Sequence, residues 1–461
     1  MTRDCGSRAG GAGTARSGYG TVARLWEWLL LAWIAVLPVM HPFNLRFAHR
    51  YTLPLADLVF GAAFVAFLAA TILRAHKLRP CSWYWPLLAY ACALTASTLA
   101  SDNVRRSAPK LAGDLYLIAA AVLVVNYATS PTALRRAVMA WLTGAAVTIL
   151  ATAAGVFLFF FGATSPAQNT LLYHFGSLPP GHYPRIRALF LNANMMCSYM
   201  VAATMMVVAA RQRTGRDARR QRNLQQQSEP RGAASSCAVS GEAGWISRGV
   251  FRVMLAGAVA TAAFSISPGL GGLFLLWGLW KARSQPTRPK ARLAAAAGLM
   301  AALAFFISAT ISPTPMARKS LIEGILHPEP SVRVQTWAGA WHTFVAHPWL
   351  GRGLETNAAG VRYLNASGNL TTLTNAHNTW LSIMAQQGFA GVCAFAWVVI
   401  HLARRFRLFA GPRDGTAALR ASLELAMLGG FLYSTLTGSY ENTRHVWALM
   451  GLVAAVQELP D

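Results

Sequence analysis

Three short segments of this 461-residue chain carry the side chains best suited to chemistry, and each borders a long apolar run. In the first segment, Arg185 and Arg187 precede Asn192 and Asn194, and the two amides stand just inside the apolar run. The arginines alone could snorkel to lipid headgroups. Amides placed in apolar surroundings need hydrogen-bond partners, however. The pattern therefore favours a polar site at the end of this run.

The second segment begins with Arg333 and continues into a predicted helix over residues 332–347, with Ser331 as its N-cap. Trp337 and Trp341 recur at helical spacing, which is typical of a helix lying flat at headgroup level. A guanidinium binds phosphate oxygens two at a time and keeps its charge. Arg333 is thus either a headgroup anchor or, with arginines from other loops, part of a pyrophosphate-binding site.

The third segment is Asn375-Ala-His377-Asn378, which leads into another apolar run. Histidine can take a proton near neutral pH, and few other bases stand nearby. We therefore consider His377 a candidate general base, the alternative being a solvated histidine that caps a helix. Weaker candidates on the same side are Tyr183, Arg352, His342, His347, Glu355, Arg362, Glu441 and Arg444.

The composition places all three segments in a membrane protein. Hydrophobic residues make up 54% of the chain and charged residues 12%, about half the share in soluble proteins. Apolar runs of about 20 residues can cross a bilayer as helices. The net charge of +25 is spread over short loops, which favours anionic lipid or an anionic substrate over nucleic acid.

The apolar runs predict an all-α polytopic protein with about twelve transmembrane helices and a large, partly helical loop between spans 9 and 10. With the N-terminus inside, roughly two thirds of the lysines and arginines lie on the cytoplasmic side, as the positive-inside rule requires. Both termini are then cytoplasmic, and the three segments lie on the opposite face. The spans are predicted near residues 25–40, 53–73, 82–100, 111–127, 137–162, 188–210, 250–266, 268–280, 293–312, 378–402, 419–437 and 444–458.

This pattern divides the chain into six parts. Residues 1–24 are a predicted disordered tail, and residues 211–249 form a basic loop whose Arg, Gln and Ser content is typical of disorder. Residues 313–377 form the large outer loop with the interfacial helix. Spans occupy 25–210, 250–312 and 378–461.

Cofactor motifs do not appear in the sequence. None of the six cysteines falls in a CxxC pair, so a disulfide framework or thiolate metal site is not indicated. No Walker A, GxGxxG, HExxH or GxSxG stands in a suitable context. We therefore expect neither a metal nor ATP nor a dinucleotide.

The ordered motifs resemble the O-antigen ligase/polymerase superfamily. The similarity extends over about residues 180–400 in motif and over the whole chain in hydropathy. One departure concerns Pro268, because many members have arginine in the corresponding Ser-Arg-Gly. Arg185 or Arg352 is a candidate to replace it. The motifs are RALFLNAN (187–194), RVQTW (333–337), AHPWLGRG (346–353), NAHN (375–378) and QGFAG (387–391).

The resemblance implies a GT-C-like membrane glycosyltransferase in a bacterial inner membrane. Its donor would be a glycan on undecaprenyl pyrophosphate, and a ligase would transfer it to a sugar hydroxyl of lipid A–core at the periplasmic face, without cofactor. Arg187 and Arg333, helped by Arg185 and Arg352, would bind pyrophosphate, and His377 would be the base of an inverting reaction. Asn192, Asn194, Asn378 and Tyr183 would support them.

Two alternatives to the ligase remain open. Within the superfamily, the chain could be a repeat-unit polymerase or a protein oligosaccharyltransferase. The moderate late loop and the lack of an extra C-terminal domain favour the ligase. In another class, twelve spans would suit a transporter of a lipid-linked anionic solute. Transporters usually show internal repeats and midplane polar groups, and neither is evident here.

Overall fold

The computed structural model describes most of the chain, with gaps in the longer loops. The predicted basic loop of residues 211–249 lies outside the described residues except at its two ends. The described ranges are 13–40, 44–47, 51–73, 75–162, 170–177, 184–211, 245–265, 267, 270–284, 289–311, 332–355, 360–364, 370–373, 376–408, 415–437 and 443–459.

Within these ranges the chain forms a helical bundle with three small antiparallel hairpins in its connections. The hairpins are β1–β2 (Asn44–Phe47, Tyr51–Pro54), β3–β4 (Leu172–Ser177, Pro184–Ile186) and β5–β6 (Val361–Leu364, Leu370–Leu373). The helices are α1 (Gly13–Val36), α2 (Leu55–Ile72), α3 (Tyr84–Leu99), α4 (Val104–Tyr127), α5 (Pro131–Phe161), α6 (Ala193–Arg211), α7 (Arg248–Phe264), α8 (Leu270–Ser284), α9 (Pro289–Ile311), α10 (Val332–Ala346), α11 (Thr379–Ala403), α12 (Gly415–Thr437) and α13 (Arg444–Gln457).

Every predicted span overlaps one of these helices, and the helix predicted over residues 332–347 is confirmed as α10; its position at the membrane interface stays a prediction. The starts of α4 and α5 were predicted too late, because each helix begins at a polar N-cap residue that precedes its apolar run. Asn103 accepts from the Arg106 N–H and starts α4 seven residues before the predicted span. Ser130 accepts from the Ala133 N–H and starts α5 six residues early. Helix α1 begins at Gly13, so residues 13–24 are helical and the predicted disordered tail is wrong there.

Among the described residues, five helices have the length and apolar composition needed to cross a membrane: α2, α4, α5, α6 and α11. In the most apolar 18-residue stretch of α6, 89% of the residues are buried, whereas in the corresponding stretch of α5 28% of the residues are buried. Helix α6 is therefore the central helix, and α5 presents much of its apolar surface to the outside. This architecture is that of an all-α membrane protein.

Polar contacts between connecting segments gather at the two ends of the bundle. At one end, Asp57 in the first turn of α2 contacts Arg444 of α13, and the Met40 N–H donates to the Leu189 carbonyl. At the other end, Arg79 before α3 donates to the Glu458 carbonyl after α13. These contacts join segments that the predicted topology places on one side. They therefore agree with the predicted alternation of helix directions.

Helix α11 is broken at Gly388, whose backbone has φ 64° and ψ −158°. This region of conformational space is essentially restricted to glycine. The break removes the helical partners of the Ala385 and Gln386 carbonyls and of the Phe389 and Ala390 N–H groups. Unpaired backbone groups of this kind are costly wherever water is scarce.

A loop before α11 supplies all four missing partners, and we call residues 347–355 the clamp loop. The Arg352 N–H donates to the Ala385 carbonyl at 3.0 Å, and the Gly353 N–H donates to the Gln386 carbonyl at 3.0 Å. In return, the Pro348 carbonyl accepts from Phe389 at 2.7 Å, and the Trp349 carbonyl accepts from Ala390 at 3.1 Å. The loop and the broken helix thus exchange four backbone hydrogen bonds.

Glycine is required at two positions of the clamp loop because of this close approach. Gly351 has φ +68°, and a Cβ there would lie 2.2 Å from the Gln386 carbonyl carbon. Gly353 has φ +107°, and a Cβ there would lie 2.1 Å from the Ser101 hydroxyl oxygen. The Gly-x-Gly pattern of residues 351–353 is therefore explained by positive φ angles and by close packing against the Gln386 backbone and the Ser101 side chain.

The break turns the first half of α11, residues 379–387, back along the second half. Trp380 and Phe395 are 15 positions apart, which is about 22 Å along a straight helix. Their ring centroids are 5.3 Å apart. Phe395 also contacts Tyr90 of α3, at 5.4 Å. The start of α11, and with it His377, is thus brought back toward the bundle.

We predict that Gly388→Ala destabilises the protein. The strained backbone alone should cost about 1–3 kcal/mol, and the new Cβ would lie 2.5 Å from the Trp349 carbonyl carbon. Thermal unfolding in detergent would measure the effect. Gly61→Ala is the matched control, because no atom lies within 4 Å of a Cβ there and alanine favours helix. Equal unfolding temperatures for the two variants would contradict the role of the break.

Candidate functional site

The first predicted segment forms a hydrogen-bonded cluster around Asn194. Its amide oxygen accepts from the Arg185 Nη2 at 3.1 Å and from the Ser267 hydroxyl at 3.0 Å. Arg185 Nε donates to the Ser265 carbonyl at 3.1 Å. The half-buried amide thus has the partners that the sequence required, and Arg185 links the start of α6 to the end of α7.

Asn192 and Asn378 have a different role from Asn194, because each caps a helix. The Asn192 side chain accepts from the Met195 N–H at 2.8 Å at the start of α6. The Asn378 side chain accepts from the Leu381 N–H at 3.3 Å at the start of α11. N-cap bonds of this kind typically contribute about 1 kcal/mol.

Arg187 is half-buried and held by the connection between α5 and β3. Its Nε donates to the Thr170 carbonyl at 3.0 Å, and its backbone N–H donates to the Leu171 carbonyl at 3.1 Å. The next residue, Ala188, is buried with φ 47°. A left-handed alanine is uncommon, so the backbone that carries Arg187 is tightly constrained.

His377 also has a left-handed backbone, with φ 49°. It lies between the buried Ala376 and the cap Asn378, and its side chain is half-buried. The Thr336 hydroxyl of α10 donates to the Ala376 carbonyl at 3.5 Å. Strained residues persist where surrounding structure holds them, and they cluster at functional sites. Helix α10 and the turned-back half of α11 hold His377 in this conformation.

The remaining predicted residues are placed only in part. Arg333 lies in the first turn of α10, but its side chain is outside the described part of the structure, as is all of Tyr183. Arg352 belongs to the clamp loop, and its Nε is 3.2 Å from Asp102 Oδ2. Both side chains of this pair are about half exposed, so the pair contributes about 0–1 kcal/mol.

An ion pair inside α4 was missed by the sequence analysis. Lys110 Nζ is 2.8 Å from Asp114 Oδ1, with side-chain exposures of 10% and 5%. Asp114 Oδ2 is buried and has no hydrogen-bond partner among the described residues. Glu355 of the clamp loop is close enough to act on Asp114 electrostatically. The i,i+4 spacing was the available signal, but the predicted span began one residue after Lys110.

A second ion pair joins Asp57 to Arg444 in a two-bond arrangement. Arg444 Nε donates to Asp57 Oδ1 at 2.6 Å, and Arg444 Nη2 donates to Asp57 Oδ2 at 2.6 Å. The guanidinium carbon is 5.9 Å from the Tyr116 ring centroid, and Trp33 donates to the Tyr116 hydroxyl at 3.3 Å. Arg444 was a weak candidate for chemistry. Its contacts instead give it a structural role that joins α1, α2, α4 and α13.

We predict that Arg444→Gln destabilises the protein by about 3–5 kcal/mol, because it leaves Asp57 without its counter-charge in a poorly solvated place. Adding Asp57→Asn should restore part of the loss. Thermal unfolding of both single variants and the double variant would measure the coupling. Arg352→Gln, which breaks an exposed pair, is the control and should cost no more than about 1 kcal/mol. If Arg444→Gln lost no more stability than Arg352→Gln, the structural role of the Asp57–Arg444 pair would be refuted.

The helical bundle and its membrane-length helices define an all-α multi-pass membrane protein. Residues 249–396 match the family model described as O-antigen ligase. The match covers about a third of the chain and supports an assignment to the O-antigen ligase family, in agreement with the resemblance of the motifs between residues 333 and 391. The matched region includes α10, the clamp loop and His377, whereas Arg185 and Arg187 precede it. No curated protein matches the chain significantly.

Proposed function

We propose that this protein is an O-antigen ligase. It transfers a glycan from undecaprenyl pyrophosphate to a sugar hydroxyl of lipid A–core, at the periplasmic face of a bacterial inner membrane. The family match supports a ligase- or polymerase-type function in broad terms. The observation that carries the finer proposal is the strained His377, held by α10 and the turned-back half of α11 inside the matched region.

The proposed reaction is a single displacement at the anomeric carbon of the donor. The His377 imidazole accepts the proton of the acceptor hydroxyl as the oxygen forms a bond to that carbon. The bond between the carbon and the pyrophosphate oxygen breaks, and its electron pair leaves with undecaprenyl pyrophosphate. Fixed guanidinium charges stabilise the charge that develops on this leaving group. The reaction needs neither a metal nor a nucleotide.

A single displacement inverts the anomeric configuration. We therefore expect the transferred glycan to carry the opposite anomeric configuration to that of the donor. NMR of the product from a donor of known configuration would check this. Retention would contradict direct attack by the acceptor.

The guanidinium groups that we assign to pyrophosphate are those of Arg187 and Arg333, with Arg185 in place of the family arginine absent at Pro268. Contacts favour Arg185 over Arg352 for this replacement. Arg185 Nη2 and the hydroxyl of Ser267, next to Pro268, bind the same Asn194 oxygen. Arg352 instead pairs with Asp102 on an exposed surface.

The proposed topology has twelve spans in a GT-C-like arrangement, with both termini cytoplasmic. The basic loop of residues 211–249 and the outer loop of residues 313–377 are the proposed connections between the groups of spans. The separation of polar contacts into two ends supports this arrangement, and the positive charge bias orients it.

We predict that His377→Ala lowers transfer by at least about a hundredfold, because a positioned base contributes roughly 10²–10⁴-fold. Purified protein, lipid-linked glycan and lipid A–core, without ATP, provide the assay. His342→Ala is the matched control, because His342 is an exposed histidine on α10. Equal activity of both variants, with equal unfolding temperatures, would refute the assignment of the base.

We predict that Arg185→Lys lowers kcat/KM for the donor by roughly tenfold or more, since lysine keeps the charge but loses the two-nitrogen geometry. Arg352→Lys should change it by less than about threefold, as expected of an exposed pair. Steady-state kinetics with varied donor would measure both. A larger loss for Arg352→Lys would reverse the assignment.

A gene deletion separates the proposed ligase from its relatives. Loss of a ligase leaves long polymer on the lipid carrier, whereas loss of a polymerase leaves lipid A–core carrying one repeat unit. For a protein oligosaccharyltransferase, lipid A–core glycosylation would be intact. For a transporter, purified protein would form no transfer product.

A further inference from the structure

A groove of about 670 Å³ lies at the end of the bundle opposite the candidate site, where α3 begins. It is separate from the residues assigned to glycosyl transfer. Its lining comes from one stretch of chain: Pro80, Cys81, Ser82, Tyr84, Trp85 and Leu88.

The outer part of the groove is apolar and faces away from the bundle. Trp85 is 68% exposed and Leu88 is 54% exposed. They stand near the beginning of an apolar helix, where tryptophan is typical of the membrane–water boundary. These two side chains suit contact with an acyl chain.

The polar part of the groove is centred on the hydroxyl of Ser82, which is exposed. It lies 3.1 Å from His401 Nε2 and 3.4 Å from Glu458 Oε1. Glu458 also pairs with Arg405, and the Glu458 carbonyl accepts from Arg79. An exposed hydroxyl donor just before α3 thus lies beside His401 of α11 and Glu458, which follows α13.

Among the described residues of the segments that form this polar part, cations outnumber carboxylates. The cations are Lys77, Arg79, Arg404 and Arg405, and the carboxylate is Glu458. Arg79 and Arg405 contact Glu458, whereas Lys77 and Arg404 are exposed. Lys77 is three residues from Pro80, so their Cα atoms are at most about 11 Å apart. Arg404 is the neighbour of Arg405.

We propose that this groove binds one anionic phospholipid. An acyl chain lies along Trp85 and Leu88, and the phosphate lies near Ser82, Lys77 and Arg404. The excess of cations favours an anionic headgroup over a zwitterionic one. The apolar wall favours a lipid over a free phosphate, which would gain nothing from exposed tryptophan and leucine.

The test uses the full-length protein in detergent and does not measure glycosyl transfer. Phosphatidylglycerol and phosphatidylcholine with identical acyl chains are added separately, and glycerol 3-phosphate provides the soluble-phosphate comparison. Native mass spectrometry counts retained lipid, and thermal unfolding measures stabilisation. The variant is Lys77→Gln with Arg404→Gln. The control is Arg105→Gln with Arg106→Gln, which removes two exposed arginines from the other end of the bundle.

We expect one retained phosphatidylglycerol and a larger rise in unfolding temperature with phosphatidylglycerol than with phosphatidylcholine. This difference should fall by roughly half or more in the Lys77/Arg404 variant, because two of four cations are lost. It should persist in the Arg105/Arg106 control, and glycerol 3-phosphate should have no effect. Equal effects of the two lipids, stabilisation by glycerol 3-phosphate, or equal losses in both variants would overturn the proposal.

Discussion

The exchange of four backbone hydrogen bonds between the clamp loop and the broken α11 is the interaction on which the rest of the site depends. A helix break exposes N–H and C=O groups, and each unsatisfied group costs several kcal/mol in a bilayer. Here the partners come from another segment of backbone, so Gly388 can adopt a conformation that no other residue tolerates. The direction of residues 379–387 follows from that conformation, and His377 is carried at their end.

The same exchange connects the proposed chemistry to the rest of the bundle. The Gln386 carbonyl also accepts from Ser97 of α3 at 2.7 Å, and the Leu354 carbonyl accepts from Ser107 of α4 at 2.7 Å. The Glu355 N–H donates to the Gln386 side chain at 3.2 Å. The clamp loop therefore holds α3, α4 and α11 together, next to the buried pair of Lys110 and Asp114.

The sequence predicts the helices well because apolar runs are a local property, and it predicts α10 from the spacing of its aromatic residues. It also predicts that Asn194 needs a partner, but Ser267 is 73 positions away and only folding reveals it. The break at Gly388 could not be predicted by hydropathy, because the glycine stands within an apolar run. Polar caps such as Asn103 displaced helix starts, since apolarity begins later than the helix does. Lys110 was missed for the same reason.

The burial of α6 has a consequence for how the bundle tolerates movement. Five methionines occur along this central helix, at positions 195, 196, 200, 205 and 206, and all are buried. Thioether side chains are unbranched and polarisable, so they fill irregular gaps in several conformations. Surrounding helices can therefore shift by small amounts while the centre refills the space they leave. The methionines therefore let the core repack around small helix movements, and the oxidation of their sulfurs to polar sulfoxides would remove this capacity.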